Sequence, residues 1–252
     1  MVQVPRRTGF SGPTLVRLLT RLTDVDAPDS GKSLSSQLSQ WLGWADAIAL
    51  SSALNGSPPA VRSGAQACAS AEARECARVR AALAGAIADD GAHAARRRGQ
   101  ARPSMQPDPL NASAASVAPV DYAAHRQRYL SLQQTMETGI GSLRGRLRIA
   151  LSGQAPGMAR LATVDAVMER VLGAREQSLL ETVPSLLEVH FGRLRQAEET
   201  RLANAQAAGE PATVKPGTWL NVFRKDMQSV LLAELDIRFQ PIEGLLAALR
   251  AS

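Results

Sequence analysis

The chain has 252 residues, 45% of them hydrophobic and only 4% aromatic, so it can bury a core made of Leu, Val and Ala rather than of large rings. Its formal net charge of +6 is concentrated in residues 1–23, which hold four arginines and no acid, while the remainder is nearly balanced. This composition excludes global disorder, and the scarcity of β-branched and aromatic runs argues against strands.

Two helices are predicted in the first 55 residues. One runs from residue 12 to about 23 with a leucine face, and the second runs from residue 33, capped by Ser33, to about residue 54. Asn55-Gly56 supplies a stop signal, and the prolines that follow prevent continuation. We therefore predict that residues 1–55 form an N-terminal helical hairpin.

The segment 56–120 is predicted to be a poorly packed insertion. Its Ala-rich helix, from residue 65 to 90, has only a narrow stripe of larger apolar side chains: Cys76, Val79, Leu83 and Ile87. A Pro-, Ala- and Arg-rich stretch then extends to residue 120 and is too poor in large apolar residues to fold alone. We expect a weak helix followed by a disordered linker.

Residues 121–252 repeat apolar side chains at intervals of three and four, which is typical of long amphipathic helices. One stripe consists of Tyr129, Leu132, Met136, Ile140, Leu143 and Leu147. Breaks are predicted at residues 153–157, near Pro184 and at Pro241. At the second of these, Thr182-Val183-Pro184 either caps a new helix or kinks the same one. The segments between the breaks should fold back on one another as a C-terminal helical bundle. The prediction is an all-α protein in which residues 1–55 pack on a bundle of long antiparallel helices and form one domain with it.

Two glycine motifs resemble nucleotide-binding loops but lack what those loops require. Gly31-Lys32-Ser33 matches the end of a phosphate-binding loop, yet Asp26 occupies the position of the first glycine and a helix precedes the motif. Gly139-Ile140-Gly141 lies inside a helical pattern, and Arg144 replaces the third glycine of a dinucleotide fingerprint. No cofactor is therefore predicted.

The sequence also contains no recognisable catalytic or metal-binding motif. His93, His125 and His190 have no ligand partners at metal-binding spacing, and His190 is interpreted as a packed core histidine. We therefore predict a protein that is not an enzyme and binds no metal. An enzyme with an acidic site assembled between helices is the third hypothesis, because general acid–base chemistry needs only two well-placed groups.

Basic clusters support an alternative function. Arg144, Arg146 and Arg148 form one cluster, and residues 96–102 form another in the linker. Either could hold phosphates, so binding of a nucleic-acid backbone is the second hypothesis. The absence of interleaved aromatic residues that would stack on bases disfavours it.

Trp41 and Trp44 are candidate partner-binding residues, since they lie three apart on one predicted helix. One interpretation is that both anchor the hairpin on the helical body. The other is that one ring remains exposed as an anchor for a partner, because Trp is enriched in interface hot spots. We favour the first interpretation and leave the second open.

The chain lacks a signal peptide and any apolar run long enough to span a bilayer, so the expectation is a cytoplasmic protein. Its helices could close within one chain or pair between copies, which would give a homo-oligomer. Long amphipathic helices without a reactive constellation favour a non-enzymatic interaction or scaffold protein with protein partners.

Four segments of the chain resemble a proteobacterial family of all-helical proteins of about this length. They are residues 5–10 (PRRTGF), 15–19 (LVRLL), 38–44 (LSQWLGW) and 235–245 (LDIRFQPIEGL). The resemblance covers both ends and omits the 56–120 region. It implies a domain of unknown function and no catalytic residues. Members of the family lie beside genes for stator-like proton channels and outer-membrane-protein-A-like proteins, which implies an accessory role in an envelope-linked bacterial assembly.

Overall fold

A computed structural model describes residues 14–23, 33–56, 65–89, 121–208 and 217–251. These residues form eight α-helices and no β-strand, in agreement with the predicted all-α class. The helices are α1 (Thr14–Thr23), α2 (Leu34–Trp41), α3 (Trp44–Asn55), α4 (Ala65–Ala88), α5 (Tyr122–Ser152), α6 (Pro156–Leu180), α7 (Val183–Ala208) and α8 (Thr218–Ala251). The predicted linker beyond residue 89 lies outside the described residues.

Helices α5 and α6 form an antiparallel pair. Asp121 caps α5 as predicted, because its side chain accepts a hydrogen bond of 3.1 Å from the Ala123 backbone N–H. Gly153 ends α5, and the chain reverses within three residues before α6 begins. Arg144 of α5 then contacts Asp165 of α6 at 2.7 Å. The predicted break at residues 153–157 therefore reverses the chain.

Helix α7 continues in the direction of α6 instead of folding back on it. Gln133 of α5 donates to the carbonyl of Leu180 at the end of α6, and Tyr122, further back on α5, packs against Phe191 of α7. Pro184 is the second residue of α7, where the missing N–H costs no helical hydrogen bond. The prediction that this break reverses the chain is wrong: α6 and α7 lie end to end along α5.

Helix α8 lies beside this pair and runs parallel to α5. Tyr122 packs against Phe223, and Tyr129 bonds to Glu234 further along α8. Against α7 the contacts run in the opposite order: the Nε2 atom of His190 lies 2.9 Å from Asp226, whereas Glu198, further along α7, accepts a hydrogen bond from the backbone N–H of Gly217, just before α8. The bundle is therefore antiparallel between α7 and α8 and parallel between α5 and α8.

Pro241 does not end α8, contrary to the prediction. The helix continues through it to Ala251. Proline removes one backbone hydrogen bond and crowds the preceding turn. The residues after it pack in the core, and their burial offsets that cost: Ile242, Leu245, Leu246 and Leu249.

Helix α4 is a full member of the bundle, so the prediction of a poorly packed 56–120 segment is wrong for residues 65–89. Leu83 and Ile87 are buried in the common core. The side chain of Arg128 on α5 donates to the Ala86 carbonyl at 2.8 Å. The many alanines that made the sequence look weak allow α4 to approach α5 and α8 closely, so a narrow stripe is enough.

The N-terminal helices attach to the body at two separate places. Helix α1 packs on α7 and α8, whereas α3 packs on α6. The predicted second helix is interrupted at Leu42 and Gly43, whose backbones are extended, so it becomes α2 and α3. Ser33 caps α2 as predicted. The two arms of the predicted hairpin thus make their main contacts with the body and not with each other.

Candidate interaction surface

Helix α3 packs one side against α6. Ala53 is buried there, and Ala49 and Leu50 are half-buried on the same side. Asp46, the one charged residue of α3, lies towards α6 and accepts a hydrogen bond of 3.2 Å from Arg170. A second arginine of α6, Arg160, donates to the carbonyl of Gly56 just after α3 ends. Packing and these two contacts hold α3 antiparallel to α6.

The opposite side of α3 faces solvent and is also largely apolar. We call it the α3 outer face. Three large side chains on it are 84%, 51% and 50% exposed, which are Trp44, Ile48 and Leu54 respectively. The small residues Ala47 and Ser51 lie between them and are also exposed. A helix that is apolar on both sides is normally covered on both sides, so this face is a candidate binding surface.

The structure separates the two candidate tryptophans. Trp41, the last residue of α2, is half-buried, and the guanidinium of Arg175 on α6 lies 5.2 Å from the centre of its ring. This contact attaches Trp41 to the body, as the first interpretation requires. Trp44 does not share that position, because its ring is almost fully in solvent. The interpretation that both rings anchor the hairpin is therefore wrong for Trp44.

Arg144 and Arg148 are occupied by carboxylates of α6. Each guanidinium bonds to Asp165 at 2.7–2.8 Å, and Arg148 also bonds to Glu169. Burial by itself would raise the pKa of Asp165, but the hydrogen bonds from the two arginines outweigh burial and hold that pKa below its ordinary value. This group joins α5 to α6 and neutralises the positive charge of both arginines.

Arg146, the third predicted arginine, faces α4. Its guanidinium lies 2.9 Å from a carboxylate oxygen of Glu72 and 3.4 Å from one of Glu75. The structure therefore directs the three arginines to two different helices. The predicted phosphate-binding cluster is instead a set of ion pairs between helices. The other basic cluster, at residues 96–102, lies outside the described residues.

A buried polar network that the sequence interpretation missed joins α5, α6 and α8. Glu234 is fully buried and accepts hydrogen bonds from Tyr129, Gln133 and Arg238 at 2.6–3.1 Å. Burial, more than the charge of Glu234, raises the pKa of Tyr129 above its ordinary value. The sequence did contain a sign of this network. Glu234 follows Val230 and Leu231 at helical spacing, so an acid occupies a position of the apolar stripe.

A cavity of about 370 Å³ lies between α5, α6 and α8. Arg144 lies 3.6 Å from Glu169, and Arg238 lies 3.8 Å from Glu176, so charges of both signs face each other across the lining. The lining includes three carboxylates, those of Glu137, Glu169 and Glu176, and no hydroxyl, thiol, imidazole or amine side chain.

The described histidines lie in an aromatic cluster. His190 is buried, which confirms that it is a packed core residue, and His125 packs edge-on against Phe223 with ring centres 5.2 Å apart. His93 lies outside the described residues. Within the described ranges, no three His, Cys, Asp or Glu side chains are grouped so that they could hold a metal ion. In the same ranges, no helix has the length and apolarity needed to cross a bilayer.

The comparisons with known proteins give one match. The model of a family described as "Protein of unknown function (DUF3348)" matches residues 1–251. The match includes both ends of the chain, which carry the resemblance to an uncharacterised all-helical family. No curated protein and no solved structure matches the chain.

Proposed function

Since the chain belongs to this family of unknown function, we propose from the structure that it is a non-enzymatic interaction or scaffold protein whose contact surface is the α3 outer face. The observation that carries the proposal is the ring of Trp44, which is 84% exposed between apolar neighbours. An accessory role in an envelope-linked assembly, implied by the family resemblance, is the setting that we propose for it.

The exposed ring of Trp44 offers substantial binding energy. An aromatic side chain buries roughly 150–250 Å² when it is covered. At roughly 25 cal/mol per Å², this corresponds to about 4–6 kcal/mol before the costs of association. Ile48 and Leu54 extend the same surface, so a partner would cover a continuous apolar strip and not an isolated ring.

The attachment of α3 to α6 supports the same proposal. Three arginines of α6 hold the α2–α3 segment through Asp46, the Gly56 carbonyl and the ring of Trp41. A partner would therefore meet a surface that is already formed, and less conformational entropy is lost on binding. The nucleic-acid alternative has weaker support, because the guanidinium groups of Arg144, Arg146 and Arg148 are engaged by carboxylates.

The experiment is capture of binding partners by the full-length protein, compared with three variants. Trp44→Ala should remove specific partners. Trp41→Ala should retain most of the binding, because that ring faces Arg175. Ile149→Ala is the matched control, since Ile149 is also a large apolar residue, 77% exposed, but belongs to a different helix, α5. A protein partner that binds all four forms equally would contradict the proposal, and so would a protein that binds neither another protein nor a second copy of itself in any of the four forms. Salt-sensitive binding of nucleic acid alone would favour the alternative.

A further inference from the structure

We infer that the α3 outer face binds the same face of a second copy of this chain, with the two α3 helices antiparallel about a two-fold axis. The inference rests on the proposed function, because it names the partner of that surface. Two observations carry it, namely the order of the side chains and the absence of charge, and the limited extent of the face sets the expected strength of the dimer.

The order of side chains along α3 makes the face complementary to itself. Trp44 lies in the first turn and Leu54 in the last, and the small residues Ala47 and Ser51 lie between them. When two such helices pair antiparallel about the midpoint of this strip, Trp44 meets Leu54 of the second copy and Ala47 meets Ser51. The small side chains of Ala47 and Ser51 allow the two backbones to approach each other, while the large side chains of Trp44 and Leu54 pack together at each end of the strip.

Charge also favours a pair of identical faces. None of the five residues of the α3 outer face is charged, so a two-fold axis through it brings no like charges together. In the antiparallel arrangement, the positive end of each helix dipole lies beside the negative end of the other. Different proteins usually select each other through complementary charges, and this face has none to offer.

The size of the face sets the expected strength of the dimer. A helix of 12 residues is about 18 Å long, so the strip falls short of the roughly 800 Å² per partner that stable dimers bury. We therefore expect a weak dimer that forms at micromolar or higher concentration and dissociates on dilution.

The first test is the molar mass of the full-length protein in solution, measured by light scattering from low-micromolar to several hundred micromolar concentration. The wild type should shift from monomer to dimer. Trp44→Ser should weaken the dimer at least tenfold, whereas the matched control Ile149→Ser should leave it unchanged. A dimer that survives Trp44→Ser would overturn the inference, since another surface would then hold it.

The second test examines the antiparallel pairing with two charged variants, Trp44→Glu and Leu54→Lys. Each alone should be monomeric, because a charge faces an apolar side chain twice in its homodimer. An equal mixture should form heterodimers, in which the introduced carboxylate meets the introduced amine at one end and the wild-type pair remains at the other. Two variants that are folded by circular dichroism but form no heterodimer would overturn this pairing.

The two proposals fail in distinguishable ways. A wild type that stays monomeric at every concentration, yet captures a different protein through Trp44, overturns the dimer and leaves the proposed function standing. A monomer that also captures no protein through Trp44 overturns both. A dimer that requires Trp44 and forms heterodimers in the mixture supports both.

Discussion

Tyr129 donates its hydroxyl proton to Glu234 with an O–O distance of 2.6 Å, although 105 positions separate the two residues in the chain. Gln133 and Arg238 donate to the same carboxylate. Hydrogen bonds to an ionised group are short and directional, so this carboxylate fixes how α8 lies along α5. A slip of α8 by one turn would separate Glu234 from Tyr129 and Gln133 and leave these two donors of α5 without their acceptor in the core.

We expect Glu234→Ala to lower the free energy of unfolding by about 3–5 kcal/mol, because it leaves the Arg238 charge and two further donors without their acceptor. Urea unfolding followed by circular dichroism measures the change. The control is Glu199→Ala, which removes an exposed ion pair with Arg195 and should cost less than about 0.5 kcal/mol. Equal unfolding midpoints for the two variants would show that the network does not stabilise the fold.

The chain contains two tyrosines, both buried, and this predicts an unusual alkaline titration. Burial raises the pKa of Tyr122 to about 12, and burial also raises the pKa of Tyr129. The folded state thus holds both protons more tightly than the unfolded state. The resulting stability is complete below about pH 10, the ordinary tyrosine pKa, and is lost as the pH rises above it.

The measurement for the tyrosines is tyrosinate absorbance, recorded together with circular dichroism. We expect little tyrosinate at about pH 10 and a steep rise only where the helical signal is lost. Tyr122→Phe serves as the control, because the single remaining tyrosine should titrate only with unfolding. Half-ionisation near the ordinary tyrosine pKa with the helices intact would contradict the buried positions of both rings.

The lowered pKa of Asp165 predicts a loss of stability in acid. A carboxylate whose pKa is depressed in the folded state stabilises the protein above its unfolded pKa, and this stabilisation disappears as the pH falls through the folded value. Asp165→Asn should therefore be about 2–4 kcal/mol less stable than the wild type at about pH 7, because Arg144 and Arg148 lose their shared partner. The difference should shrink between about pH 5 and pH 2.

Unfolding curves at several pH values measure this effect of Asp165. Glu75→Gln is the matched control, because the pKa of Glu75 is also lowered, mainly by a hydrogen bond from Arg78 of its own helix, and its side chain is partly exposed. The Glu75→Gln variant should lose stability at low pH as the wild type does. A difference between wild type and Asp165→Asn that does not change with pH would refute the role of the Asp165 charge.

Pro241 is expected to destabilise the helix that contains it. Proline inside a helix costs roughly 3 kcal/mol, so Pro241→Ala should raise the free energy of unfolding by about 1–3 kcal/mol. Pro184→Ala is the control, because Pro184 lies in the first turn of α7 and blocks no helical hydrogen bond. Thermal unfolding of both variants compares them directly, and a Pro241→Ala protein that melts below the wild type would contradict the prediction.

The fold class and most helix bounds could be predicted because they depend on local patterns. The stripe through Tyr129, Met136 and Leu143 is buried as its spacing indicated, and the Asp121 and Ser33 caps form. The errors at Pro184 and Pro241 have a common origin. A proline in the sequence shows where one helical hydrogen bond cannot form. The direction of the chain after it depends on which distant side chains are buried.

For the candidate site, the sequence indicated two residues, Trp41 and Trp44, without indicating which of them is exposed. The spacing of Trp41 and Trp44 placed both on one helix, and the extended backbone at Gly43 divided that helix and turned the rings to different environments. The pairing of Arg144 and Arg148 with Asp165 depends on the α5–α6 turn, which the sequence indicates as a break without indicating its register. Side-chain partners across helices are therefore beyond the reach of local patterns.

The separation of Tyr129 and Glu234 in the sequence also determines when their contact can form during synthesis of the chain. Tyr129, Gln133 and the neighbouring core face of α5 are made early, but the helix that covers them is the last of the described helices. Until that helix leaves the ribosome, Tyr129 lacks its native acceptor, Gln133 has only the carbonyl of Leu180, and α5 has no partner along this side. A newly made chain thus closes its core in a single late step, and a message truncated before α8 would yield a protein prone to aggregation.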